Sequence, residues 1–178
     1  MKAVLISIQP KWCELIASGK KTIEVRKTAP KLKTPFKVYI YCTHGDNLNC
    51  LRTPYFSNAN KFWVDNKAFG VNVTRVNGKV IGEFVCDSVD DIAYVTSAVE
   101  GTMIPRYVGN NESCTCLSEI EIFKYGRGNL LYAWHISDLV IYAEPKELSE
   151  FSKYGFGEPV PLKRPPQSWM YVESEDAE

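Results

Sequence analysis

The chain consists mostly of short apolar segments with strand character, separated by turn residues. Runs of β-branched and aromatic residues over four to eight positions indicate β-strands. Such runs occupy residues 2–8, 22–26, 36–42, 68–76, 79–86, 130–136, 139–143 and 167–172. Only two stretches have helical periodicity, so covering helices cannot alternate with every strand. The pattern predicts an α+β fold with a strongly bent or closed sheet, rather than a doubly wound parallel sheet.

The first helix is predicted directly after the first strand. Pro10 suits the first helical position, and Trp12, Leu15 and Ile16 form one apolar stripe. Gly19 suits the left-handed position that ends a helix. A second helix is predicted to run to about residue 125, capped by Ser113 or Thr115. Its predicted inward residues are Leu117, Ile120, and Phe123 or Lys124.

Turn residues and composition predict the remaining boundaries. Residues 43–67 are polar and rich in asparagine, and we expect a long loop or insertion there. Asn77-Gly78 is a strong hairpin-turn pair, so residues 68–76 and 79–86 are predicted to form a hairpin. Ser137-Asp138 is predicted to separate two strands, and Pro145 to end the second. Residues 1–172 are expected to form a single domain, followed by an acidic disordered tail over 173–178.

The overall charge excludes two classes of protein, but its distribution is uneven. The 178 residues include 21 Lys and Arg and 21 Asp and Glu, a formal net charge of zero. The whole chain is therefore neither a basic nucleic-acid coat nor an acidic disordered protein. Residues 1–40 nevertheless carry nine Lys or Arg and only two acids. A local positive surface could thus face a phosphate backbone, although a solvated basic face is the simpler interpretation of charge alone.

The sequence predicts a cytoplasmic protein without a metal or a cofactor. No apolar run approaches the roughly 18 residues that span a bilayer, and the N-terminus lacks the pattern of a signal peptide. No membrane association is therefore expected. The six cysteines are then expected to be free thiols. The spacings at Cys42, His44 and Cys50, and at Cys114 and Cys116, lack the paired pattern and the fourth ligand of a zinc site.

The segment from Gly19 to Arg26 is the most informative one for function. It places Lys21 at a helix-to-strand turn, followed by a strand on which Thr22, Glu24 and Arg26 share one face. If that face is exposed, the Glu24–Arg26 pair contributes less than about 1 kcal/mol to stability. If it forms the floor of a pocket, Lys21 and Arg26 could contact a phosphate or base edge while Glu24 accepts from an exocyclic amine.

This segment and four others resemble the ASCH domain, of the PUA-like superfamily. The pattern Gly19-x-Lys21-x-x-Glu24-x-Arg26 follows an Ile8-x-Pro10-x-Trp12 opening. The further similar segments, the last two typical of larger phage and Firmicute members, are 36–41, 78–84, 132–138 and 165–172. The resemblance implies a PUA-like bent β-barrel flanked by two or three helices. It also implies a cleft lined by the Lys/Glu/Arg motif that binds single-stranded RNA or a modified nucleoside.

Some small ASCH proteins are amidohydrolases that remove the acyl group from N4-acetylcytidine, using a lysine, a threonine and a glutamate. Lys21 matches that lysine, but Glu24 occupies the threonine position. Thr22 lies one strand repeat away, about 7 Å, which is too far to substitute. Glu24 could instead act as a general base on water near Lys21. Hydrolysis of N4-acylated cytidine is therefore an alternative to binding alone, and a small protein-interaction factor with an acidic tail is another.

Two residues of the predicted strand at 130–136, Trp134 and His135, allow a structural or a functional role. Trp134 is either a core residue or an aromatic platform on which a base stacks. His135, on the opposite face of the same strand, is interpreted as a hydrogen-bonded structural histidine. The candidate binding residues from sequence are therefore Lys21, Thr22, Glu24, Arg26 and Trp134, of which Lys21 and Glu24 would be catalytic in a hydrolase.

Overall fold

The computed structural model describes residues 1–45, 48–52, 62–65, 74–96, 103–107, 115–155 and 157–174. Within them, the helices are α1 (Pro10–Ala17) and α2 (Glu119–Gly126). The strands are β1 (Lys2–Ile8), β2 (Ile23–Arg26), β3 (Phe36–Cys42), β4 (Asn49–Arg52), β5 (Phe62–Asp65), β6 (Thr74–Arg75), β7 (Lys79–Thr96), β8 (Met103–Tyr107), β9 (Leu131–Glu147) and β10 (Trp169–Glu173). No helix in these ranges is long and apolar enough to cross a membrane.

A bent mixed sheet forms the centre of the molecule, with strand order β10-β1-β3-β7-β9-β2 and β8 paired to β7. β1 and β3 are parallel, and the other neighbours in this sheet are antiparallel. The long β7–β9 pair changes register at three places, and such bulges bend strands. The bend brings β2 back towards β1, where the Arg26 Nη2 donates to the Ser7 carbonyl at 2.7 Å. The predicted α+β fold with a bent, nearly closed sheet is confirmed.

Both faces of the central strands are buried. On β1, Val4, Ile6 and Ile8 point to the main core with α1, while Ala3 and Leu5 pack against a layer that includes Phe151. This arrangement explains why β1 is a continuous apolar run rather than an alternating one. A third cluster lies between β2, β9 and α2. Glu24 and Arg26, the polar residues of β2, are buried in this arrangement.

The first helix is confirmed, with one change to its inward face. It begins at Pro10, and Gly19 follows its end at φ +73°, the conformation that glycine adopts without strain. The predicted stripe is shifted, because Cys13 and Ile16 are fully buried while Leu15 is only partly covered. Trp12 is half-buried and borders the space between α1 and β2.

The predicted start of the second helix is wrong, and its predicted inward face is only partly correct. Ser118 rather than Thr115 caps α2, and Ser113 lies outside the described residues. The Ser118 side chain accepts from the Glu121 N–H, and the Glu121 side chain accepts from the Ser118 N–H. This reciprocal capping box satisfies two backbone donors at the helix start. Ile122 is buried against the sheet, whereas Ile120 is 65% exposed. Phe123, also predicted to point inwards, is 40% exposed, whereas Leu117 packs against the third cluster as predicted.

The predicted hairpin at Asn77-Gly78 is also wrong. The turn is present, with Gly78 at φ +83°, but the strand before it, β6, pairs with β4 in a separate three-stranded sheet. The buried Asn77 side chain donates to the carbonyls of Thr43, His44 and Leu48 and accepts from the Cys50 N–H. The turn therefore anchors a second sheet instead of closing a hairpin. The predicted loop at 43–67 contains β4 and β5, and residues 46–47, 53–61 and 66–73 lie outside the described residues.

Three other predicted boundaries differ from the structure: the strand break at Ser137-Asp138, the strand end at Pro145 and the start of the tail. Residues 131–147 form one strand, β9, in which Asp138 adopts φ +45° without ending the strand. Val80 pairs with Lys146 and Gly82 with Ile141, so Pro145 falls in a bulge where its missing N–H is tolerated. The predicted tail begins too early, because Glu173 is the last residue of β10. Residues 175–178 lie outside the described residues.

Candidate functional site

A cavity of about 360 Å³ opens between the end of β1, α1, β2 and α2. Four elements contribute to it because the bent sheet brings β2 beside the last residues of β1. Its lining consists of Ser7, Ile8, Gln9, Trp12, Lys21, Glu24, Val25, Arg26, Leu117, Glu121, Lys124 and Tyr125. The volume is at the lower end of the range for small-molecule pockets, about 300–1,000 Å³, and suits a ligand the size of one nucleoside.

Lys21, Glu24 and Arg26 form a buried ionic triad at the floor of this cavity. The Lys21 Nζ lies 3.3 Å from the Glu24 Oε2, and the Arg26 Nη2 lies 3.0 Å from the Glu24 Oε1. Local sequence places them there: the turn after Gly19 directs Lys21 inward, and strand alternation puts Glu24 and Arg26 on one face. The three residues are between 2% and 8% exposed. The interpretation of this segment as an exposed strand face is therefore wrong.

Backbone carbonyls position both cations of the triad. Lys21 donates to the Thr115 carbonyl at 2.7 Å, and Arg26 donates to the Ser7 carbonyl at 2.7 Å. The Glu24 Oε2 has only its ion pair with the Lys21 Nζ, and the buried Arg26 Nε has no hydrogen-bond partner within the described residues. Buried polar atoms are almost always paired in native proteins. The hydrogen-bonding capacity of the triad is thus not fully used within the described part of the protein, and its three side chains line the cavity.

Aromatic side chains form two walls of the cavity. The Lys21 Nζ lies 5.2 Å from the centroid of the Trp12 ring, and the Lys27 Nζ lies 5.0 Å from that of Tyr125. Burial raises the pKa of the Tyr125 hydroxyl, and the negative charge of Glu24 raises it further. The positive charge of Arg26 and a hydrogen bond from Arg26 partly oppose this increase. Tyr125 is therefore a neutral donor at physiological pH. Aromatic walls around polar groups are typical of sites for planar heterocycles.

The α2 wall was predicted only in part from the sequence, which placed Leu117 and, as an alternative to Phe123, Lys124 on the inward face. It contributes Leu117, Glu121, Lys124 and Tyr125, which follow the i, i+4, i+7, i+8 spacing of one helix face. That spacing is the signal that could have identified them. Glu121 accepts from both the Ser118 N–H and Oγ, and these hydrogen bonds lower its carboxyl pKa. The Glu121 carboxylate is thus engaged in the helix cap, and Glu24 is the other carboxylate that lines the cavity.

Two residues predicted for the site lie elsewhere. Thr22 is exposed and does not line the cavity. Trp134 is fully buried in the core, with its ring centroid 5.9 Å from those of Phe36 and Trp169. A base cannot stack on it, because both faces of β9 are covered at that position. Of the five candidates, the structure brings together only Lys21, Glu24 and Arg26.

The other polar candidates have structural partners. The His135 Nε2 lies 2.7 Å from the Asp90 Oδ2, which agrees with a hydrogen-bonded structural histidine. Cys13, Cys42, Cys50, Cys86 and Cys116 are free thiols, and Cys114 lies outside the described residues. Among the described side chains, no group of three or more His, Cys, Asp or Glu is arranged to hold a metal ion.

Comparisons with known proteins agree on one family. The ASCH domain model matches residues 6–153. The crystal structure of ASCH from Zymomonas mobilis has a TM-score of 0.51 at 18% identity, covering 97% of this chain and 89% of that chain. A point variant of the same Zymomonas mobilis protein has a TM-score of 0.52, also at 18% identity, covering 97% and 91%. No curated protein matches the sequence significantly. The family match covers most of the chain and the structural likeness agrees with its fold, so the chain belongs to the ASCH domain family.

Proposed function

We propose that the cavity binds one nucleobase of single-stranded RNA, or the same base as a modified nucleoside. The observation that carries this proposal is the buried triad, which lines a cavity with aromatic walls. A hydrophobic ligand would cover the charged groups of the triad without hydrogen-bonding to them, at a cost of about 1–3 kcal/mol or more. The ligand must therefore offer both a donor and an acceptor.

The triad suits the polar edge of a base. Glu24 accepts from an exocyclic amine or a ring N–H, while Arg26 and Lys21 donate to a ring nitrogen or a carbonyl oxygen. Trp12 and Tyr125 line the same cavity and supply aromatic surface for contact with the base. Discrimination is expected to be strong, because a base without the matching group leaves a buried charge unpaired.

The dimensions and the family support a single-stranded ligand. A cavity of about 360 Å³ admits one base with its sugar. Bases in a duplex are stacked and paired, so only an unpaired or extruded base can enter. ASCH domains have a PUA-like fold often linked to RNA binding, which supports the same ligand class.

The proposal is tested by binding of fluorescein-labelled single-stranded RNA, followed by fluorescence anisotropy. Glu24→Gln removes the charged acceptor at constant volume and should weaken binding at least tenfold. Trp12→Ala should weaken it by about 1–3 kcal/mol, roughly 5- to 150-fold. Glu83→Gln is the matched control, because Glu83 pairs with Lys37 outside the cavity. Equal affinities for the wild type, Glu24→Gln and Trp12→Ala would refute the proposal.

Hydrolysis of N4-acylated cytidine is a second candidate, favoured by the contact between the Lys21 amine and the Glu24 carboxylate. In such a reaction Glu24 would deprotonate an attacking water, and Lys21 would donate to the acyl oxygen as negative charge develops there. Incubation of the protein with N4-acetylcytidine, followed by chromatography for cytidine and acetate, tests this activity. Product is expected from the wild type but not from Lys21→Gln. Absence of turnover at high enzyme concentration leaves binding as the function.

A further inference from the structure

We infer that RNA crosses the cavity mouth as a strand, with the phosphates beside the bound base held by two basic segments. The first is the basic loop, residues 27–33, with Lys27, Lys31 and Lys33; the second is the basic pair, Lys163 and Arg164. This inference rests on the proposed function, because the strand is positioned by the base in the cavity. It makes a polynucleotide the preferred ligand over a free nucleoside.

The basic loop leads directly away from the cavity. It begins at the residue after Arg26, and the Lys27 Nζ lies over the ring of Tyr125, which lines the cavity. Lys27, Lys31 and Lys33 are all exposed. Residues 27–45 contain no Asp or Glu. Even a fully extended chain from Lys27 to Lys33 would span at most about 20 Å. This length is the upper limit for the stretch of a bound strand that the three lysines contact.

The basic loop is fixed to the barrel rather than projecting from it. The Trp169 Nε1–H donates to the Thr28 hydroxyl at 3.0 Å, and the Lys31 N–H donates to the Tyr171 hydroxyl at 2.8 Å. Leu32 packs against the main core. A loop held in this way presents its lysines without the ordering cost of a mobile segment.

The chain that follows the basic pair runs along the edge of the cavity before β10 begins. Pro166 and Ser168 accept hydrogen bonds from the Ser7 hydroxyl at 2.6 Å and from the Ser7 N–H at 2.9 Å. Ser7 lines the cavity, so the chain just after the basic pair lies at its edge. Lys163 and Arg164 are exposed, and residues 159–172 contain no Asp or Glu. The two segments thus approach the cavity from different parts of the sequence.

The charge of these segments is not neutralised within the described part of the protein. None of their five basic side chains lies in ion-pair distance of a described carboxylate, unlike Lys37 and Lys79. Unpaired cations beside a base-sized cavity match the phosphates of a strand whose base is inserted. An acidic protein surface would meet the same charges but offers no planar group for the cavity, so RNA is the favoured partner.

The test compares an RNA octamer with a free nucleoside. Anisotropy of fluorescein-labelled oligocytidylate and quenching of tryptophan fluorescence by cytidine are measured for the wild type, Lys31→Gln/Lys33→Gln and Lys163→Gln/Arg164→Gln. Each double variant should bind the octamer about tenfold more weakly at 50 mM salt, and the salt slope should fall by about 1.4, or 0.7 for each lost contact. Cytidine binding should be unchanged, which also shows that the variants fold.

The outcomes separate this inference from the proposed function. Unchanged octamer affinity and salt slope in both double variants, with Glu24→Gln weakening binding, would overturn the strand path while the base cavity stands. If Glu24→Gln has no effect on either ligand, the proposed function itself fails. Arg75→Gln/Lys79→Gln is the matched control, because it removes two charges beside the second sheet. An equal loss in this control would also overturn the inference, since net charge alone would then explain the binding.

Discussion

Replacing Glu24 by glutamine should destabilise the protein far more than removing a surface ion pair. Glu24 neutralises Lys21 and Arg26, and all three side chains are at most 10% exposed. Removing one partner of a buried pair costs about 3–5 kcal/mol, because the remaining charge is left without compensation. Glutamine retains the volume and one acceptor oxygen, and both cations keep a backbone carbonyl. We therefore expect a loss near the lower limit, about 3 kcal/mol.

Urea unfolding followed by circular dichroism measures this loss, and thermal unfolding gives a second value. For a protein of this size, 3 kcal/mol corresponds to a fall in Tm of about 6–12 °C. Lys79→Gln is the control: the Lys79–Glu147 pair is 35% and 57% exposed, and its removal should cost at most about 1 kcal/mol.

A second variant isolates the electrostatic cause. Lys21→Met in the Glu24→Gln background removes one of the two uncompensated cations, so it should restore part of the lost stability. Additive losses would show that the triad members act independently. A loss for Glu24→Gln no larger than that for Lys79→Gln would refute the reasoning, because the charges of the triad would then be hydrated.

Three other results are expected. Trp134→Ala should cost about 3–5 kcal/mol in urea unfolding, because the ring is fully buried, whereas Trp134→Phe should leave RNA affinity in the anisotropy assay unchanged. Burial raises the pKa of the Cys86 thiol to about 12, so peptide mass spectrometry after iodoacetamide treatment at pH 8 should show labelling of the half-buried Cys116 and not of Cys86. The pKa of Tyr125 is raised in the folded state, so a protonated hydroxyl favours folding. This contribution to the free energy of unfolding is complete below the ordinary tyrosine pKa of 10.0 and is lost as the pH rises through the folded-state pKa. Tyr125→Phe should therefore reduce the fall in stability between pH 9 and 11, and an unchanged fall would contradict the assignment.

The sequence predicted the elements that depend on local patterns. β1, β3 and α1 were identified because apolar runs, Pro10 and Gly19 act within a few residues. The Asn77-Gly78 turn was also identified, but its partner strand was not. A turn determines only the path of the chain over four residues, whereas pairing of β6 with β4 depends on the distant groups that Asn77 holds.

Sequence also indicated the triad but not the cavity around it. Strand alternation placed Glu24 and Arg26 on one face, and the turn placed Lys21 beside them. The same alternation placed Thr22 on that face. Thr22 is nevertheless exposed, because it precedes β2 and the buried segment begins only at Ile23. Trp134 could have been a core residue or a stacking platform, since an aromatic residue on a strand has the same pattern in both roles.

The amino-acid sequence alone determined which charges lie on β2 and that they share one face, because side-chain direction in a strand follows from backbone geometry. Only the tertiary structure decided that this face is enclosed. Lys21 is held by the carbonyl of Thr115, 94 positions along the chain, and the capping box of α2 orients the wall with Tyr125. Such enclosure depends on packing between distant segments, whose energies no local pattern contains.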